Sequence, residues 1–88
     1  MLTIYKYTLS TTLTMFPLPH DHTIVLVGEQ GEATRIWIKL DTTAPTFPYR
    51  FIITDTGHPV QPDWTHVGSY QSPPFVWHVW RLPLALPE

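Results

Sequence analysis

Cysteine is absent from this 88-residue chain, which excludes disulfides and thiolate metal sites. Its absence fits a reducing compartment. Charge is also scarce: 14% of residues are charged and the formal net charge is −2. The only basic side chains are Lys6, Arg35, Lys39, Arg50 and Arg81, scattered along the sequence. A duplex nucleic-acid binder needs clustered Lys and Arg, so that class is excluded. No apolar run approaches the roughly 20 residues that cross a bilayer as a helix. The opening Met1-Leu2-Thr3-Ile4-Tyr5-Lys6 lacks the charged and apolar regions of a signal peptide. An unprocessed cytosolic protein is expected, with no membrane partner. Walker loops, nucleophile elbows and zinc-deaminase patterns are missing too.

Proline, by contrast, is abundant, with ten residues. The widest gap between prolines, 20–44, is interrupted by Gly28 and Gly31, and no stretch reads as a helix. Between the prolines lie runs of Val, Ile, Thr, Tyr, Phe and Trp, the composition of strands. The first runs over 2–9, with neither face cleanly polar, and a shorter extended stretch follows at 13–16. Pro17, Pro19 and His20-Asp21-His22 read as a loop. Thr23 to Val27 is continuously apolar or β-branched, which predicts a strand covered on both sides. Residues 28–32 (Gly-Glu-Gln-Gly-Glu) predict a hairpin turn with Gly31 in a left-handed conformation.

The alternation over 33–40 sets Ile36, Ile38 and Leu40 against Arg35, Trp37 and Lys39. The second face is either solvated, with one indole lying across it, or a ligand surface. Residues 41–48 predict a loop, 49–54 a strand, 64–70 a short strand and 75–82 the last strand. Gly68 suggests a bulge or a close backbone approach. Both faces of the last strand are bulky, so both are expected to be covered. The tail 83–88 is expected to be extended. The sum is one all-β domain over 1–88, a small antiparallel sandwich or curled sheet of six to seven short strands. A chain this short buries only roughly 60–65% of its unfolded surface, so homo-oligomerisation is the expected source of extra stability.

Three constellations carry possible chemistry. His20 and His22 share one face of an extended chain, but no third ligand follows from spacing, so no metal is expected. Asp55-Thr56-Gly57-His58 places a carboxylate, a hydroxyl and an imidazole close together. Four contiguous residues rarely supply nucleophile, base and orienter, so no catalytic residue is assigned. The loop is either a turn closed by its own polar groups or a ligand-contact segment. His78 sits between Trp77 and Trp80 on an apolar strand, the setting of a hydrogen-bonded core histidine. Four tryptophans supply stacking faces, whether as core or as a ligand surface.

The order of several motifs resembles a small family encoded mainly by tailed bacteriophages and prophages, a domain of unknown function. The similarity covers nearly the whole chain. It runs through Ile4-Tyr5-Lys6-Tyr7, Leu18-Pro19 with Ile24 to Val27, and Gln30 with Ile36-Trp37-Ile38-Lys39-Leu40-Asp41. It continues through Arg50-Phe51, Asp55-Thr56-Gly57-His58 and Val67-Gly68-Ser69 to Phe75-Val76-Trp77-His78-Val79-Trp80. The loop departs from a Gly-Thr-Gly-His pattern by Asp55, which adds a negative charge. The resemblance implies a phage accessory protein in the host cytoplasm, without cofactor or catalysis. It would antagonise host defence by sequestering a nucleotide-derived immune signal such as a cyclic nucleotide. The alternative is a protein-blocking inhibitor or structural phage protein acting through apolar strand faces. In the first reading Arg35 or Arg50 pairs with phosphate and Trp37 or Trp64 stacks on the base. Thr56, Gly57 and His58 then close the site.

Overall fold

The runs between prolines become seven antiparallel strands in a computed structural model that describes residues 1–84. They are β1 (Leu2–Leu9), β2 (Thr14–Leu18), β3 (Thr23–Gln30), β4 (Ala33–Asp41), β5 (Phe47–Asp55), β6 (Thr65–Ser72) and β7 (Phe75–Arg81). One sheet has the order β1-β4-β3 and the other β2-β5-β7-β6. The two stack as an open sandwich whose Cα envelope measures 40 × 33 × 16 Å. The all-β expectation therefore holds, with seven strands.

Alternation places the core. Ile36, Ile38 and Leu40 from β4 face Tyr49, Phe51 and Ile53 from β5, joined by Leu9, Leu18 and Val79. Three rings stack through this layer: Tyr7 on Phe16 with centroids 4.2 Å apart, and Phe16 on Phe51 at 5.0 Å. Stacked apolar rings add to the area they bury. Arg35, Trp37 and Lys39 occupy the outer face of the three-stranded sheet.

Two expected boundaries move. Pro17 lies inside β2 and Pro48 inside β5, opposite each other in the ladder. Proline cannot donate to a ladder, but β2 is an edge strand, where its missing N–H costs little. The expectation that 23–27 is covered on both sides is corrected. β3 is the edge of the smaller sheet, and Val25 and Leu26 stand 52% and 55% exposed. Ile24 and Val27 alone turn inward from that run to pack on the core. In β7 only Val79 is fully buried, while Phe75 at its start is exposed. Of the tail, Pro83 and Leu84 are non-strand and Leu84 packs on the core. The rest of the 83–88 segment lies outside the described residues.

The β3–β4 hairpin closes through a loop of two residues, Gly31 and Glu32, with φ of 61° and 68°. Two successive positive φ values match the right-handed strand twist. Glutamate bears a steric penalty there of roughly 1 kcal/mol that glycine avoids. Glu32→Gly is expected to raise the unfolding free energy by up to about 1 kcal/mol, read from urea denaturation. A loss of stability instead would mean that the Glu32 side chain supplies an interaction outweighing its backbone strain.

Gly68 realises both features expected of it. The β6–β7 register shifts between His66 and Gly68, leaving Val67 as the extra residue of a bulge. A Cβ on Gly68 would lie 3.0 Å from Val27 Cγ2, so glycine lets β6 cross close to β3.

Candidate binding face on the four-stranded sheet

The outer face of the larger sheet is built by register. β7 presents Val76, His78 and Trp80; β5 presents Arg50, Ile52 and Thr54 beside them. β6 brings Ser69 opposite His78 and His66 opposite Trp80. Residues three apart on a regular strand point to opposite faces. The Val67 bulge changes that parity and sets His66 and Ser69 on one face.

These side chains form a continuous hydrogen-bonded row. His66 Nε2 lies 2.8 Å from Ser69 Oγ, which lies 2.7 Å from His78 Nδ1. His78 Nε2 lies 2.9 Å from Thr56 Oγ1, and that hydroxyl reaches the Val76 carbonyl over 3.5 Å. Each hydroxyl and ring nitrogen of the row can donate or accept, so the direction of donation follows the tautomers of the two imidazoles. His66 Nδ1 has no partner among the described residues. Beside the row, the Trp80 indole N–H donates to buried Thr54 Oγ1 at 2.9 Å, and the His66 ring meets the Trp80 ring at 5.1 Å.

The row and Trp80 border an open recess of about 460 Å³, closed on one side by Asp55 to His58 and Val60. The loop is a turn in which His58 N–H donates to the Asp55 carbonyl at 3.2 Å, with Gly57 at φ 93°. Glycine takes such a φ without steric cost. Thr56, Gly57 and His58 therefore do line a cavity. The carboxylate there is that of Asp55, whose Oδ1 lies 3.9 Å from His58 Nδ1; among the described residues no Lys or Arg lines the recess.

The other expected contact residues lie elsewhere. Arg35 and Trp37 stand on the opposite face of the sandwich, where Arg35 donates to Thr8 Oγ1 and to the Gln30 carbonyl. Arg50 shares the sheet face with Trp80 but donates to the Pro83 carbonyl, so it fastens the segment after β7. Trp64 precedes β6 and stands 6.5 Å from Trp80, centroid to centroid, outside the recess lining. The recess thus gathers the loop but neither arginine. Thr54, His66 and Ser69 carry no signal in the sequence; His78, expected as a core histidine, is hydrogen-bonded but half-buried on the outer face, and Trp80 stands beside it. His20 and His22 flank Tyr49: His20 Nδ1 is 2.7 Å from its hydroxyl, and the His22 ring meets its ring edge-on.

Among the described residues no carboxylate orients either imidazole of the row, and Ser69 sits between the two rings. The arrangement offers fixed donors and acceptors beside an aromatic ring, in the class of small all-β proteins with a polar face recess. The chain belongs to a family known as a domain of unknown function (DUF7352), whose model matches residues 1–87. No curated protein and no solved structure matches it.

Proposed function

We propose that this is a non-catalytic binding protein whose ligand lies on the outer face of the four-stranded sheet. The observation that carries the reading is the row His66–Ser69–His78–Thr56 laid beside Trp80 at the recess. Preset polar atoms next to a flat ring suit a planar, hydrogen-bonding ligand. Asp55 and the lack of Lys or Arg favour a neutral ring over an anion there. Within the phage setting implied by the motif resemblance, the ligand class is a nucleotide-derived immune signal held through its base. Its phosphates would extend beyond the recess. Sequestering it in the host cytoplasm would antagonise defence.

Native mass spectrometry of protein purified from bacterial cells tests this. An added mass that disappears in Trp80→Ala, with the fold kept, supports the reading. Bare protein that also fails to bind free nucleosides and cyclic nucleotides sinks it.

A second reading, docking on a host or virion protein, draws on the opposite face. Leu2, Ile4 and Leu26 are exposed there around the half-buried Trp37. Stoichiometric co-purification of one protein, lost in Leu26→Asp, would favour it.

A further inference from the structure

The two open sheets leave four free edges: β1 and β3 on one, β2 and β6 on the other. Natural proteins block such edges with proline, bulges or charge. β2 carries Pro17. β3 is bulged between Ile24 and Leu26, and β6 between His66 and Gly68. β1 has none of these backbone devices. It runs eight residues as Leu-Thr-Ile-Tyr-Lys-Tyr-Thr-Leu, paired with β4 without a break from Leu2↔Asp41 to Leu9↔Thr34. Lys6 is its single charge.

The direction of its backbone groups follows from the ladder. Thr42 N–H donates to the Met1 carbonyl, so the hydrogen-bonded pairs with β4 are those of Thr3, Tyr5, Tyr7 and Leu9. The two-residue β3–β4 loop sets the same phase from the other side of β4. Leu2, Ile4, Lys6 and Thr8 therefore aim their N–H and C=O groups away from the sheet. The side chains agree. Leu2 and Ile4 are exposed, and so is Tyr5 at 46%, although its strand face turns toward the core. Among the described residues, no strand lies beyond that edge to cover it.

We propose that β1 pairs with β1 of a second copy, antiparallel about a two-fold axis at Tyr5, joining two three-stranded sheets into one of six strands. The strand suits itself in this register. The outward groups require even residues to face even residues, and centring on Tyr5 opposes Ile4 to the partner's Lys6 and Leu2 to the partner's Thr8. Seven residues of each strand are then paired. Centring on Lys6 would oppose two ammonium groups, and centring on Ile4 would shorten the overlap. At the axis the two Tyr5 rings meet as a non-hydrogen-bonded pair, the closer of the two pair types. A self-pairing edge closes the assembly at two copies, because each chain offers only one such strand. This inference concerns assembly and stands whether or not the recess holds a ligand.

The chain's lack of cysteine makes the register testable. Tyr5→Cys places two thiols across the axis, within the reach of a disulfide. Under mild oxidation it is expected to convert to a covalent dimer, whereas Leu26→Cys on β3 is not. Wild type is expected to sediment at twice its 10.2 kDa mass. Ile4→Lys, which sets ammonium against ammonium in the paired edge, is expected to weaken association by ~10-fold or more. Circular dichroism checks that each variant is folded. Three results would overturn the proposal: wild type at one chain mass at its highest soluble concentration, cross-linking through Leu26 but not Tyr5, or a folded Ile4→Lys that associates as tightly as wild type.

Discussion

Phe51→Ala is expected to remove about 3–5 kcal/mol of stability, enough to leave much of the protein unfolded near physiological temperature. Phe51 is fully buried in the core between the sheets, and it ends the Tyr7–Phe16–Phe51 stack. The cavity left behind would open between two sheets pinned by their ladders, so collapse could fill little of it. In a domain of this size about 1 kcal/mol shifts the melting temperature by roughly 4–8 °C. The expected fall is therefore roughly 12–40 °C, followed by circular dichroism. Phe16→Leu, on the half-exposed member of the stack, should cost far less. A Phe51→Ala loss under about 1 kcal/mol would show that the sheets are not locked around this ring.

The second large effect is expected at Thr54, the one buried polar side chain among the described residues. Its hydroxyl accepts the Trp80 indole N–H at 2.9 Å. Thr54→Val keeps the shape and removes the acceptor, leaving a part-buried donor without a partner, at about 1–3 kcal/mol. The hydroxyl's own desolvation is relieved, which places the result toward the lower end. The interaction is isolated by a double-mutant cycle with Trp80→Phe, whose ring has no donor. In that background Thr54→Val should cost less than about 0.5 kcal/mol. An equal cost in both backgrounds would assign the effect to packing. Because Thr54 fixes the ring that borders the recess, Thr54→Val should also weaken retention of any ligand held there.

The architecture was largely legible in the sequence because alternation decides it. The period-two split of Ile36, Ile38 and Leu40 from Arg35, Trp37 and Lys39 sorted core from surface correctly. Gly31 and Gly68 announced a turn and a close approach through what only glycine permits. The misreadings have physical reasons. Proline removes one ladder donor, which costs little where no further strand pairs beside it, as at Pro17 on the edge strand and at Pro48 short of the first β5–β7 pair at Phe51; that pairing is set across the chain, so both read as loop. The apolar run at 23–27 resembles a doubly covered strand, yet one of its faces looks outward from the smaller sheet.

The site was most legible at its loop. Thr56, Gly57 and His58 stood out as a turn with functional groups, and they line the recess. The row was hidden because Ser69 meets His78 through a hairpin register, and His66 joins them only through the bulge at Val67. Gly68 hinted at a bulge, but not at which residue is displaced or which neighbours then share a face. The arginines lie away from the recess for a related reason: charge type is visible in sequence, but the face it occupies and its hydrogen-bond partners are not.

The order of strands also bears on how the chain reaches its fold. Only β3–β4 and β6–β7 are hairpins closed by two residues. β1 must find β4 across a separation that joins Leu2 to Asp41, and β2 must find β5 from Thr14 to Phe51. Loop-closure entropy is spent before such pairings are rewarded, so folding on a scale of roughly milliseconds to seconds is expected. The hairpins are expected to form first, with β1 and β2 joining late. During that interval β4 and β5 each lack a neighbour, and the nascent chain is most open to pairing with the wrong strand.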